Sequence, residues 1–167
     1  AYVYDTFLDS IQDDFGEREG LLFVGGFAHP PNADAVLWFA REIFPLIRRE
    51  LPDVKFYVAG SKVTDEIKAL EEPGNGIIIK GFVSEEELAQ LYGQCRVVVV
   101  PLRYGAGVKG KVVEAIYNGA PIVTTSTGAE GIPFADTVLE IEDQAELFAG
   151  KTVKLYQDNE RLNQLCR

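Results

Sequence analysis

Histidine and cysteine, the side chains that most often hold metal ions, are scarce in this chain. His29 is the single histidine among 167 residues, and the two cysteines, Cys95 and Cys166, lie far apart. This spacing fits neither a metal-binding pattern nor a disulfide framework. We therefore expect no metal site and no cofactor, and we interpret the cysteines as free thiols of a reducing, cytoplasmic compartment.

Long apolar runs and basic residues are also in short supply. No apolar stretch approaches the roughly 18 residues of a membrane-spanning helix. Residues 1–5 have neither a basic nor an apolar region, so no signal peptide is expected. The 26 acidic residues outnumber the 16 basic ones and give a net charge of −10. Such a surface repels phosphate backbones, which argues against nucleic acid as a partner.

Short apolar runs alternate with segments of helical periodicity. The runs predict six strands, at residues 21–24, 54–59, 77–79, 97–101, 121–124 and 138–141. Strands that are apolar throughout indicate a parallel sheet covered on both faces. We predict the α/β class, with a single Rossmann-like, doubly wound, six-stranded sheet in the order 3-2-1-4-5-6. Residues 1–20 are predicted to be a connecting segment with a short helix near 7–11, and residues 21–167 to form the domain.

Local signals mark several helix boundaries. Pro45 interrupts the helical periodicity of residues 36–47 and predicts a kink or an early end. Ser84–Glu87 has the pattern of a capping box, which predicts the start of a helix. Asn118–Gly119 predicts the end of the helix over residues 111–117. A last helix is expected from residue 144 onward, with a break near 158–159.

Ligands of a doubly wound sheet bind beyond the carboxyl ends of the strands, where the strand order reverses. Here the reversal falls between the first and fourth strands, so two loops should meet there. The loop after the first strand carries four candidate binding residues, Gly25, Gly26, His29 and Asn32. The other loop spans residues 103–111.

The loop over residues 103–111 carries the strongest chemical signal. Its three glycines allow a close approach of the backbone, and the following helix N-terminus attracts anions. Arg103, Lys109 and Lys111 are concentrated here although the chain is acidic. The pattern predicts an anion-binding loop. The alternative is a plain turn with solvated lysines.

Two familiar motifs nearly fit the same loop. Residues 105–110 match the dinucleotide fingerprint, but that fingerprint belongs after the first strand, whereas this stretch follows the fourth. Read as a P-loop, the stretch has Val112 where a serine or threonine should bind magnesium. Both alternatives therefore lack their usual context.

Two further segments flank the crevice. Glu114 lies one turn after Lys111, and its carboxylate can accept hydrogen bonds from a vicinal diol such as ribose. An exposed glutamate that merely suits the first half of a helix is the alternative. Residues 124–132, which include Ser126, are rich in hydroxyls that either contact a phosphate or sugar or satisfy one another.

Five motifs follow one another along the chain: Phe23–Gly26, Pro31–Ala35, Gly81–Ser84, Val100–Ala115 and Gly119–Thr125. Together they resemble the C-terminal domain of the group 1 retaining glycosyltransferases of GT-B fold. In that family this domain holds the nucleotide-sugar donor, and a separate N-terminal domain binds the acceptor. The fourth motif, with the Gly-x-Pro that follows it, is the most specific of the five.

The resemblance implies binding of a UDP-, GDP- or ADP-type sugar and hexosyl transfer with retention. Glu114 matches the second motif glutamate, which would bind the donor ribose. Gly81-Phe82-Val83 resembles the segment whose backbone contacts the base, and the amides of Gly107–Val108 would face the diphosphate. Lysines and the helix N-terminus would stabilise the leaving group, so Lys109 and Glu114 are the predicted catalytic residues. Other predicted substrate-binding residues are Gly25, Gly26, His29, Asn32, Arg103, Lys111 and Ser126.

The chain departs from the family pattern at two places. The first motif glutamate falls on Ala106, and the loop after the first strand carries His29 and Asn32 in place of the usual arginine and lysine. We hypothesise that Lys109 or Arg103 supplies the missing positive charge.

The resemblance also implies partners. They are a nucleotide sugar and a carbohydrate or lipid-linked acceptor, the latter bound by an N-terminal domain that would also mediate any peripheral membrane association. The domain alone is expected to be inactive. A non-catalytic nucleotide-binding or interaction module and a GT-B-fold sugar-nucleotide epimerase are the alternative functions.

Overall fold

The fold of this chain is given by a computed structural model that describes residues 18–105, 109–132 and 139–158. Six parallel strands form one sheet in the order β3-β2-β1-β4-β5-β6. The strands are β1 Leu21–Val24, β2 Phe56–Ala59, β3 Ile77–Gly81, β4 Val97–Val100, β5 Ile122–Thr124 and β6 Glu140–Ile141. The predicted fold class and strand order are confirmed, and the helix expected near residues 7–11 lies outside the described residues.

Helices cover both faces of this sheet. They are α1 Pro30–Trp38, α2 Phe44–Glu50, α3 Asp65–Lys68, α4 Glu85–Gln94, α5 Gly110–Tyr117, α6 Ser126–Ala129 and α7 Ala145–Tyr156. Right-handed crossovers place α1 to α3 on one face as the chain moves from β1 to β3. After β3 the chain crosses back past β1 to β4, so the order of strands reverses. This reversal places α4 and α5 on the other face. Within the described ranges, no helix is both long and apolar enough to cross a membrane.

Aromatic side chains fill the core beneath α2 and α7. The ring of Phe39 lies 4.6 Å from that of Phe56 on β2 and 6.0 Å from that of Phe148 on α7, measured between centroids. Phe44 lies 5.6 Å from Phe56. Because β4 is covered on both faces, all four of its valines are buried, as the apolar pattern predicts.

A π-helical segment, Phe39–Ile43, joins α1 to α2. The N–H of Phe44 donates to the carbonyl of Phe39, five residues earlier. Pro45 explains the wider turn, because its ring clashes with the carbonyl of residue 41 in a regular α-helix and it has no N–H to donate. The distortion predicted at Pro45 is therefore present, but the helix continues to Glu50 instead of ending early.

The capping box is confirmed in both directions. The N–H of Glu87 donates to Ser84 Oγ, and the N–H of Ser84 donates to Glu87 Oε1, each over 3.1 Å. The predicted end of α5 is also confirmed, since Gly119 has a φ of +72°, a left-handed conformation that glycine adopts readily.

Other boundaries differ from the prediction. Residues 124–132, expected to be a loop, contain the short helix α6, which Thr125 caps by accepting from the N–H of Gly128. The connecting segment predicted over residues 1–20 is tied to the domain at its end, where the N–H of Gly20 donates to the Tyr156 hydroxyl over 2.8 Å.

Candidate functional site

Three successive turns meet at the carboxyl ends of β1, β2 and β3. The N–H of Gly25 donates to the carbonyl of Ala59 over 3.0 Å, and the N–H of Gly60 donates to the carbonyl of Gly81 over 2.8 Å. Gly60 also lies directly against the carbonyl oxygen of Gly25. The main chain joins these turns directly, and the contact at Gly60 leaves no room for a side chain at that position.

A hollow of about 170 Å³ lies against these turns. Its lining includes Gly25 and Gly26 after β1, Ser61 after β2, Phe82 and Val83 after β3, and Lys111 on α5. Predicted site residues from three separate loops thus share one hollow. Gly60 and Ser61 were missed by the sequence reasoning, although a glycine at the end of each of these three strands is a signal that could have found them.

The start of α1 supports the glycine turn. The side-chain amide of Asn32 donates to the carbonyl of Gly26 over 2.8 Å and packs closely against Gly25. Asn32 lies within α1 and not in a loop as predicted, because Pro30 has the φ angle that a first helical turn requires. His29 is the exposed N-cap residue, and its side chain makes no capping hydrogen bond.

Arg103 is engaged by an acidic residue on α1. Its Nε and Nη2 donate to the two carboxylate oxygens of Asp34 over 2.9 and 2.6 Å, and its guanidinium lies 5.2 Å from the ring centroid of Trp38. The hydrogen bonds to Asp34 raise the pKa of Arg103 above its already high value. This pair ties the loop after β4 to α1, and Arg103 does not line the hollow.

Lys109 is the N-cap residue of α5 and has little exposure, with 11% of its side chain accessible. Its Nζ donates to the carbonyl of Gly105 over 3.1 Å and lies 3.9 Å from Glu130 Oε1. Lys109 therefore faces the loop that it follows and the segment after α6, and is not part of the hollow's lining. The predicted residues Gly107 and Val108 lie outside the described residues.

Lys111, Glu114 and Tyr92 form a chain of polar contacts that begins at the hollow. Nζ of Lys111 lies 3.7 Å from Glu114 Oε2, and the Tyr92 hydroxyl donates to Glu114 Oε1 over 3.2 Å. Burial raises the pKa of the Tyr92 hydroxyl, and the charge of Glu114 raises it further. Tyr92 therefore stays a protonated donor at neutral pH. Sequence spacing had no signal that linked Tyr92 to Glu114.

The hydroxyls at the end of β5 and directly after it form hydrogen bonds within the protein. Thr124 Oγ1 donates to the carbonyl of Val100 over 2.8 Å, and Thr125 Oγ1 donates to that of Leu102. Ser126 Oγ donates to Asp143 Oδ2 over 2.6 Å, and its N–H donates to Oδ1 over 2.8 Å. Of the two alternatives for residues 124–132, the geometry favours hydroxyls satisfied by protein groups.

A larger hollow, of about 560 Å³, lies at the other end of the strands, where the strands begin. Lys55, Arg96 and Tyr156 are among its lining residues. Ligands of doubly wound sheets bind at the carboxyl ends of strands, so the smaller hollow is the candidate site. Within the described ranges, no group of three or more histidine, cysteine, aspartate or glutamate side chains is placed to hold a metal ion.

Two solved structures share this fold. One is the C-terminal domain of LpcC, a glycosyl transferase group 1 family protein of Francisella tularensis. It has a TM-score of 0.69 and 19% identity, covering 93% of this chain and 86% of that one. The other is WaaG, a glycosyltransferase involved in lipopolysaccharide biosynthesis. It has a TM-score of 0.68 and 16% identity, covering 96% and 45%.

Sequence comparison gives a nearer relative and a family. A Klebsiella pneumoniae protein described as an uncharacterized 44.6 kDa protein in the cps region is 35% identical over 117 residues, which is 66% of this chain. This chain spans only 30% of that protein's length. The family model described as glycosyl transferases group 1 matches residues 18–158. That match extends over nearly all of the sheet and helices described above, and the chain therefore belongs to the group 1 glycosyl transferases.

Proposed function

We propose that this chain binds the nucleotide-sugar donor of a glycosyltransferase that transfers a hexosyl group with retention. The observation that carries the proposal is the hollow that Gly25, Gly26, Phe82, Val83 and Lys111 share at the carboxyl edge of the sheet. In this proposal the base lies at Phe82–Val83, the diphosphate at the start of α5, and the ribose at Glu114.

The electrostatics at the start of α5 suit a diphosphate. The first turn of α5 has no acidic residue, and the side chain of its N-cap residue, Lys109, makes no capping hydrogen bond. The N–H groups of this turn and the positive end of the helix dipole therefore suit an anion. Lys109 and Lys111 add two cations there, each close to 4 Å from one glutamate oxygen, which a diphosphate would replace or supplement. When the sugar leaves, negative charge grows on the departing diphosphate, and these groups would stabilise it. We propose that this stabilisation operates without a metal ion.

The rim of the hollow suits a nucleobase. Phe82 has 78% of its surface exposed and lines the hollow, so its ring is accessible to a ligand bound there. Its ring stands beside the hollow, and Val83 and Leu88 add apolar surface behind it. A planar base would cover this ring while the adjacent main chain contacts its edge.

The acceptor is proposed to bind elsewhere in the full-length protein. Because the chain spans 30% of the length of its Klebsiella relative, a separate domain has ample sequence there. We propose that this domain binds a carbohydrate or lipid-linked acceptor, contributes any membrane contact, and acts in the cytoplasm with the donor domain described here.

Calorimetric titration of the chain with UDP-, GDP- and ADP-glucose tests donor binding. At least one nucleotide sugar is expected to bind, and Lys111→Ala is expected to weaken that binding about tenfold, the effect of one lost charge-assisted hydrogen bond. Lys154→Ala makes the same charge change on α7 and serves as the matched control. Failure of all three compounds to bind would refute donor binding and favour an interaction module. Conversion of a bound sugar nucleotide to its epimer by the full-length protein would favour an epimerase.

A further inference from the structure

Tyr92 and Glu114 form a partly buried polar contact next to the proposed donor site. Tyr92 lies on α4 with 5% of its surface exposed, and its hydroxyl donates to Oε1 of Glu114 on α5. The other carboxylate oxygen, Oε2, is 3.7 Å from Nζ of Lys111, which lines the hollow. The Glu114 side chain is 38% exposed, so the carboxylate reaches from a buried anchor toward solvent.

We propose that Tyr92 is a positioning residue that holds the Glu114 carboxylate for the donor ribose and so selects ribonucleotides over deoxyribonucleotides. The inference rests on the donor-binding function proposed above and names the group that sets its sugar specificity. Tyr92 does not touch the ligand in this arrangement, because its hydroxyl lies behind the carboxylate.

The physical basis is preorganisation of a flexible side chain. A glutamate has several rotatable bonds, and fixing them only when ligand arrives would reduce affinity. Tyr92 and Lys111 restrain one oxygen each before any ligand binds. A carboxylate has about four lone-pair positions, so acceptor sites remain for the two hydroxyls of a ribose diol.

The rest of the surroundings keep both partners in place. The side-chain amide of Asn118 donates to the carbonyl of Glu114 over 2.8 Å, which fixes the last turns of α5. Nη1 of Arg18 donates to the carbonyl of Tyr92 over 3.4 Å. Asn118 and Arg18 thus contact main-chain carbonyls and not the carboxylate, whose two restraints are the buried Tyr92 hydroxyl and the exposed ammonium of Lys111.

The test compares UDP, GDP and ADP with their 2′-deoxy and 3′-deoxy forms by calorimetry, using the unaltered chain and Tyr92→Phe. The unaltered chain is expected to prefer the ribonucleotide about tenfold, as for one hydrogen bond to a charged group. Tyr92→Phe should lose most of that preference while its affinity for the deoxy forms stays within about twofold. A preference that survives in Tyr92→Phe would overturn the inference.

Two further variants complete the test. Tyr156→Phe removes the phenol hydroxyl that accepts from Gly20 at the opposite edge of the sheet and should leave the preference unchanged. Glu114→Asp keeps the charge but withdraws the carboxylate from the Tyr92 hydroxyl, and it tests the pair if Tyr92→Phe does not fold. It should lose the preference too, and its retention would overturn the inference. If the unaltered chain binds none of the nucleotides, the donor-binding proposal itself fails.

Discussion

Gly60 lies so close to the carbonyl oxygen of Gly25 that a Cβ atom on Gly60 would overlap it. The two glycines close the turns after β2 and β1, and a neighbouring hydrogen bond joins Gly60 to Gly81. The main chain of these turns therefore forms the floor of the candidate site. Its shape depends on the absence of a side chain at Gly60.

We expect Gly60→Ala to lower the free energy of unfolding by about 1–3 kcal/mol, as overpacking does in a tight interior. The added methyl group would push apart the turns after β1 and β2. Urea denaturation measures this change. Gly150→Ala is the matched control, because it lies within α7 with nothing near its Cβ position. That control should stabilise the protein by about 0.5–1 kcal/mol; equal effects from the two variants would refute the explanation.

Arg103→Ala should affect stability more than nucleotide affinity. The bidentate contact with Asp34 is partly exposed, so its loss should cost about 0.2–1 kcal/mol of unfolding free energy. Because Asp34 already neutralises the guanidinium, affinity for UDP, GDP or ADP should change less than about twofold in a calorimetric titration.

Lys109→Ala is the informative counterpart of Arg103→Ala. Lys109 is the N-cap residue of α5, and its Nζ lies 3.9 Å from a single oxygen of Glu130, whereas Arg103 makes two shorter contacts with Asp34. Because Lys109 is less fully neutralised, its loss should weaken nucleotide binding about tenfold. Arg49→Ala, an exposed change on α2, controls for net charge. Should Arg103→Ala weaken binding as much as Lys109→Ala, Asp34 does not hold Arg103 away from the ligand as the structure indicates.

Removal of the capping box should loosen the segment that carries Phe82 and Val83. Ser84→Ala deprives the N–H of Glu87 of its acceptor, and we expect a loss of about 1 kcal/mol in unfolding free energy. Ser84→Gly should cost only a few tenths of a kcal/mol, because glycine is tolerated at an N-cap. Thermal unfolding of both variants measures the difference, and a cost for Ser84→Gly as large as for Ser84→Ala would contradict a capping role.

Cys95 should make stability fall at alkaline pH. Burial raises the pKa of its thiol to about 12, whereas an unfolded cysteine titrates near pH 8.5. The folded state thus holds the proton more tightly. The resulting stabilisation is complete below about pH 8.5 and is lost as the pH rises toward about 12, at up to roughly 1.4 kcal/mol per pH unit.

Urea denaturation between pH 7.5 and 10, values chosen to span about 8.5, detects this slope. The reference is Cys95→Ala, compared in a Cys166→Ser background so that the second thiol does not contribute. The alanine variant should show a shallower decline in stability with pH. Parallel declines in the two proteins would show that other groups, such as the buried tyrosines, cause the effect.

The fold was accessible from the sequence because its signals are local. Each strand is an apolar run short enough to recognise, and the signals of the capping box and of Gly119 lie within a few residues of the helix ends they mark. Strand order followed from the number of those runs, because six strands alternating with helices favour the doubly wound arrangement. The main local errors were the helix α6 and the extent of β6, where hydroxyl-rich and short segments give weak periodicity.

The partners of the site residues were not accessible in the same way. Arg103 and Asp34 are 69 residues apart, Tyr92 and Glu114 are 22 apart, and Ser126 and Asp143 are 17 apart. No local pattern announces such pairs, because they depend on which loops the folded sheet brings together. The sequence identified the basic groups able to bind an anion. It did not show which of them form ion pairs with acidic side chains of the same protein.

The π-helical segment before Pro45 changes the direction in which the side chains of α2 point. An α-helix turns about 100° per residue, so the one extra residue in this wide turn rotates the later side chains by about that angle. Phe44 and Ile47 are buried in this phase. A related chain that lacks one residue between positions 39 and 43 should therefore carry its buried side chains one place out of step with this one, and alignments that ignore the widened turn would match core positions to surface ones.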